Sequence, residues 1–143
     1  MFNYENNFQL ANKLLFKKWI NAIIFSEGRS VGDINFIFCD DDYLLKINQK
    51  YLNHDTLTDI VSFDYSDVNT ISGDVFISTE RVLENANSYK ISFENELLRV
   101  MAHGILHYCG YKDKNASDAK FMRAKEDEKI NLFHVEQMRI NIN

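Results

Sequence analysis

The chain has 143 residues, no proline and two cysteines, which suits one compact domain with a substantial core and excludes a disulfide framework. Its net charge of −5, from 21 acidic and 16 basic residues, excludes a general nucleic-acid coating role, because phosphate affinity comes mostly from Lys and Arg. No apolar run is long enough to span a bilayer, and Met1-Phe2-Asn3-Tyr4-Glu5 lacks the order of a signal peptide, so a cytoplasmic protein is expected.

The first element is an amphipathic helix from about Gln9 to Ser26, with Leu10, Leu14, Leu15, Trp19, Ala22 and Ile23 at helical spacing. Gly28 and Gly32 flank a turn, and Asp33 to Cys39 reads as a strand. Asp40-Asp41-Asp42 reads as a helix start, where carboxylates suit free N–H groups, or as a cation site. That helix carries Tyr43, Leu44, Ile47 and Tyr51, and Leu52 to Leu57 forms a polar turn in which His54 is a surface residue. Strands follow at Asp59–Phe63 and Gly73–Ser78, then a helix to about Tyr89 capped by Ser78 or Thr79. Ser92 opens the next helix, which has Glu94 and Glu96 in its first turn and stops at Gly110. Ser117 caps a last helix to about Phe133. No repeat or linker interrupts the order, so a single domain over residues 1–143 is expected. Its class is α+β, with helices covering a mixed sheet of about four strands.

The densest chemistry lies in His103-Gly104-Ile105-Leu106-His107-Tyr108-Cys109-Gly110-Tyr111-Lys112-Asp113. Residues four apart share a helix face, so His103 and His107 can aim both imidazoles at one ion. Gly110 lets the backbone leave the helix through a left-handed conformation and return Asp113 as a third ligand. Histidine nitrogen and carboxylate oxygen suit zinc, with nickel or cobalt as alternatives. Three protein ligands leave a position open for water, as in catalytic rather than structural sites. A histidine pair alone is a weak signal, and the glycine and the acid at their spacing make it specific.

The neighbours of the motif divide. Cys109 falls on the opposite helix face, where packing is its expected role. Arg99, four residues before His103, is the candidate catalytic side chain: it either reaches a phosphate near the ion or is held in an ion pair or at the surface. Gly104 stands where zinc proteases of the H-E-x-x-H type carry their general base, which counts against a peptidase. Lys112, Lys114, Lys120, Arg123 and Lys125 form either a local basic patch or a solvated helix face.

The motif resembles the H-G-x-L-H-x-x-G-[YH]-D-H pattern of the YbeY family of rRNA-maturation endoribonucleases, matching from His103 to Tyr111. Upstream, Tyr51 to Phe63 resembles the family's Y-R-x-x-D-x-x-T-D-V-L-S-F segment, and Gly73-Asp74-Val75-Phe76-Ile77 its G-D-[IV]-x-[IV] strand. Met122-x-x-x-Glu126 resembles the closing M-x-x-x-E helix, so the likeness covers roughly Leu44 to Ile130. Two positions depart: Asp113 stands where the family has a third histidine, and Leu52 where it has an arginine that assists RNA cleavage.

The resemblance implies a zinc-protease-like architecture with the ligand helix against the sheet. It also implies a single-strand-specific, zinc-dependent endoribonuclease acting in 3′-end maturation of small-subunit (16S) ribosomal RNA and in ribosome quality control. Its metal ligands would be His103, His107 and Asp113, with one Zn2+ per chain. Its partners would be ribosomal RNA and the small ribosomal subunit, and the chain would be a monomer. The residues of the upstream segment have a second reading, in which Thr58 and Asp59 cap a turn and Ser62 and Phe63 fill strand positions. Two other functions share the motif: a non-catalytic ribosome-assembly factor with a structural metal, and a metallohydrolase of another class.

Overall fold

The computed structural model describes residues 1–53 and 57–142, the side chains of the last two excepted, so His54 lies outside the described residues. A four-stranded mixed sheet is assembled from β1 (Phe2–Tyr4), β2 (Ser30–Cys39), β3 (Ile60–Asp64) and β4 (Thr70–Ser78) in the order β1-β2-β4-β3. β1 and β4 run parallel to β2, and β3 runs antiparallel to β4. Five helices accompany it among the described residues: α1 (Lys13–Ser26), α2 (Asp41–Leu52), α3 (Thr79–Tyr89), α4 (Phe93–Tyr108) and α5 (Ala116–Ile142). This is the expected α+β class.

Strand alternation sorts the two faces of the sheet. Ile34, Phe36 and Phe38 of β2, with Ile71, Val75 and Ile77 of β4, join the main core with α1 and α4. Cys39, Val61, Phe63 and Phe76 point the other way and meet Leu44, Tyr43 and Ile47 of α2. Phe133 of α5 closes the main core, its ring 5.0 Å from Phe16 and 5.5 Å from Trp19 of α1.

Several elements differ from the sequence expectation. β1 went unpredicted, since three residues carry almost no periodicity and their pairing partner lies more than thirty residues away. Phe2 and Tyr4 make it a strand by laying their rings against Phe36 and Phe38. Gly32 sits inside β2 at a register shift rather than in a turn. A Cβ there would fall 2.9 Å from the Ile71 carbonyl oxygen. The last helix starts earlier, because the Asn115 side chain accepts from the Asp118 amide at 2.7 Å. It also runs past Phe133, where no glycine or proline stops it and Ile140 still packs on the core.

α4 lies directly on β3 and β4 because two glycines remove side chains between them. A Cβ on Gly104 would meet Ile60 Cδ1 at 3.0 Å and Val75 Cγ1 at 3.4 Å. A Cβ on Gly73 would fall 2.5 Å from the Phe63 carbonyl oxygen and 2.6 Å from the Tyr108 ring. In that space the Tyr108 hydroxyl donates to the carbonyls of Phe63 and Asp74, each at 3.0 Å, so α4 is pinned to both strands.

Candidate metal centre

α4 is specified at both ends. The Ser92 hydroxyl accepts from the Asn95 amide at 3.1 Å, and Glu94 and Glu96 sit at the positive end of the dipole. At the other end the Tyr111 amide donates to the Leu106 carbonyl and the Gly110 amide to the His107 carbonyl. This paired closure needs a left-handed residue, and Gly110 supplies it at φ +101°. The chain then turns back over the last helical turn and delivers Asp113.

Three side-chain atoms converge there. His103 Nε2 and His107 Nε2 are 2.9 Å apart, and Asp113 Oδ2 is 3.1 Å from the first and 3.4 Å from the second. Three corners of a zinc tetrahedron are separated by about 3.3 Å, given metal–ligand bonds of about 2.0 to 2.1 Å. Among the described residues no other group of three His, Cys, Asp or Glu side chains comes together in this way.

The outer nitrogens decide what the inner ones can do. His103 Nδ1 lies 2.7 Å from Glu126 Oε2, and His107 Nδ1 lies 2.9 Å from the Tyr111 carbonyl oxygen. A carbonyl or carboxylate oxygen only accepts, so each Nδ1 carries a proton, and in the neutral form each ring turns a lone pair inward. Two lone pairs and a carboxylate oxygen then face one another with no donor between them. Such a set favours positive charge at its centre, which a metal cation or a proton supplies. His103 expresses the same demand. Burial disfavours its charged form, yet the Glu126 hydrogen bond and the charges of Glu126, Asp113 and Asp59 raise its pKa overall.

Arg99 proves to be held in ion pairs. Its guanidinium donates to Glu126 Oε1 at 3.0 Å and to Asp127 Oδ1 at 2.7 Å. It therefore orients the carboxylate that orients His103, and it still lines the cavity beside the centre. Glu126, only 6% exposed at its side chain, was not singled out from the sequence as part of the site. Its signal was present, since it ends the Met122-x-x-x-Glu126 pattern with the buried Met122 one helical turn before it. Replacing it by glutamine keeps the shape but removes the charge that holds Arg99 and His103. Glu126→Gln is expected to weaken metal binding by about 10- to 100-fold in a chelator-competition titration, with the circular dichroism spectrum unchanged.

The other sequence candidates separate clearly. Cys109 is partly buried beside the core and burial pushes its thiol up to about 11, as a packing role requires. Asp41 accepts from the Ser78 hydroxyl and pairs with Arg81, and Asp40 accepts from Asn6, so these two are bound up in structural contacts, while Asp42 sits in the first turn of α2. The Thr58 hydroxyl donates to the Ile60 carbonyl in a local turn, whereas Asp59 lines the cavity. Of the basic run, Lys112, Lys114, Lys120 and Arg123 are exposed, and Lys125 pairs with Glu27 and Glu128. Leu52 is exposed at the end of α2.

Two histidines on one helix face, a carboxylate from the following loop and an adjoining cavity of about 300 Å³ define a candidate mononuclear metal centre of the hydrolase kind. The family model described as Endoribonuclease YbeY matches residues 2–134. Endoribonuclease YbeY of Flavobacterium johnsoniae is 64% identical over 95% of this chain and 98% of its own length. That of Flavobacterium psychrophilum is 60% identical over 95% of this chain and 97% of its own. The solution structure of TM1509 from Thermotoga maritima is similar with a TM-score of 0.68 at 26% identity, covering 97% of this chain and 93% of that one. The chain belongs to the YbeY family of endoribonucleases.

Proposed function

We propose that this chain is a single-strand-specific, zinc-dependent endoribonuclease that matures the 3′ end of small-subunit ribosomal RNA and serves ribosome quality control. It works as one domain spanning residues 1–143, a cytoplasmic monomer with one zinc held by His103, His107 and Asp113. Its partners are ribosomal RNA and the small ribosomal subunit. The observation that carries this reading is the convergence of three acceptor atoms within 3.4 Å, in a chain 64% identical to an endoribonuclease YbeY. No helix among the described residues is long and apolar enough to cross a membrane.

The residues divide the work. A bound zinc would supply Lewis acidity toward a phosphoryl oxygen and lower the pKa of a bound water. Glu126 and the Tyr111 carbonyl hold the two imidazoles in the tautomer that presents Nε2. Asp113 is 37% exposed at its side chain, so the open side of the centre faces solvent, where an RNA strand can approach. Gly104 faces Ile60 and Val75, so position 104 offers no base to the centre.

The test is metal analysis paired with cleavage of a labelled single-stranded RNA. One zinc per chain, cleavage lost with a chelator and restored by zinc, and an uncut duplex of the same sequence are expected. Cleavage at full rate by metal-free protein would overturn the reading. RNA binding without turnover by the zinc-loaded chain would replace it with an assembly factor.

A further inference from the structure

The cavity beside the metal centre is lined by His103 and by four acidic side chains, Asp113, Glu126, Asp59 and Glu96. Such a wall repels phosphate unless a cation intervenes. Two arginines reach the cavity, and they differ in what they hold. Arg99 is committed to Glu126 and Asp127. Arg123, one turn of α5 before Asp127, is exposed and makes no hydrogen bond or ion pair among the described residues. Tyr89, at the end of α3, lines the same cavity with 59% of its surface exposed and no ring or hydrogen-bond partner among the described residues.

An exposed guanidinium, coupled to Glu96 only through space, and an exposed aromatic ring lining one cavity are the two groups that single-stranded nucleic acid requires, one for phosphate and one for a base. A volume of about 300 Å³ is at the small end of the range for ligand sites, which suits a single nucleotide. We propose that this cavity is a nucleotide subsite for the RNA strand, with Arg123 receiving a backbone phosphate and Tyr89 stacking on a base next to the scissile position. The inference rests on the nuclease reading and adds where the strand lies: across the α3–α5 side of the metal centre. Neither side chain is buried in the core, so each can be replaced without opening a void.

The experiment uses the zinc-loaded full chain and a labelled single-stranded RNA, with Arg123→Gln, Arg123→Lys, Tyr89→Ala and Tyr89→Phe. Arg123→Gln is expected to raise KM about tenfold with kcat within about twofold, and to lower the slope of log affinity against log salt by about 1. Arg123→Lys restores much of the affinity, because a phosphate accepts either cation. Tyr89→Ala is expected to raise KM about 5- to 100-fold and Tyr89→Phe to restore it, since the ring and not the hydroxyl stacks. Zinc content stays at the wild-type level in all four. Unchanged KM and salt slope in Arg123→Gln and Tyr89→Ala, in a preparation whose wild type cleaves, would overturn the subsite. Anisotropy of a phosphorothioate RNA of the same sequence reads the contacts without turnover. A wild type that never cleaves therefore removes the nuclease reading, while the binding series still decides the subsite.

Discussion

Replacing either His103 or His107 by alanine is expected to lower RNA cleavage by more than about 100-fold and to leave the purified chain without stoichiometric zinc. Each substitution removes one of three converging atoms, and two remaining ligands cannot hold the ion against water and buffer. The two variants should differ in their effect on the fold. His107 bonds only the Tyr111 carbonyl outside the centre, so His107→Ala removes one exchangeable hydrogen bond. His103→Ala also orphans one oxygen of the buried Glu126, whose other oxygen remains on Arg99. The thermal midpoint should therefore fall further for His103→Ala, by several degrees, an effect of about 1–3 kcal/mol. Asp113→His is the informative counterpart. It replaces an oxygen ligand by a nitrogen ligand of the kind zinc also accepts, so metal should be retained where Asp113→Ala loses it. Elemental analysis after dialysis, set beside cleavage rates, checks all four. Zinc retained at one per chain in His107→Ala would remove that residue from the ligand set.

Glu27→Ala is expected to be strongly destabilising, by about 3 kcal/mol, because it removes the nearest counter-charge of a buried ammonium and leaves it the Ser26 hydroxyl and Glu128 at 3.7 Å. Lys129 is 1% exposed and donates to Glu27 Oε2 at 2.7 Å and to the Ser26 hydroxyl at 2.9 Å. Lys125 reaches the same carboxylate at 3.1 Å, and the Tyr111 hydroxyl donates to Oε1 at 2.6 Å. Lys129→Met should cost less than Glu27→Ala, since it removes the buried charge instead of stranding it. Urea midpoints at neutral pH order the two.

The same cluster sets an acid limit. Burial pushes the Glu27 carboxyl up, but the hydrogen bonds from Lys129, Tyr111 and Lys125 outweigh it and hold the pKa at about 2 against an ordinary 4.5. An acid with a depressed folded-state pKa contributes stability above its unfolded value and loses it as pH falls. The contribution here is complete above pH 4.5 and disappears between pH 4.5 and about 2. Its size is about 2 kcal/mol once solvent screening of a partly exposed group is allowed for. Glu27→Ala should flatten the stability–pH curve across that window. The cluster also reaches the metal centre, because Tyr111 donates its hydroxyl to Glu27 while its carbonyl accepts from His107. Loss of Glu27 should therefore weaken zinc binding as well as folding, and a chelator competition on the folded fraction separates the two effects.

Local chemistry was the legible part of this chain. A serine before an apolar helical run, a glycine seven residues beyond His103 and an aspartate three further on are short-range signals. They named α4, its end and the three side chains that converge, because helix spacing and the left-handed turn are properties of neighbouring residues. Strands β2, β3 and β4 were visible to within a few residues for the same reason. β1 was not, since its strand character comes from Phe36 and Phe38 more than thirty residues away.

What the amino-acid order determined by itself was the candidate ligand set: His103 and His107 on one helix face, and Asp113 returned by the turn at Gly110, which depend on 3.6 residues per turn and one glycine. Tertiary structure alone decided how those ligands are held and what surrounds them. Glu126 meets His103 across 23 residues, Arg99 is held in ion pairs by Glu126 and Asp127, and Glu27 braces Tyr111 from 84 residues away. Proton placement on a ligand histidine and the freedom of a nearby arginine depend on which oxygen atoms lie within about 3 Å, a distance set by packing between helices.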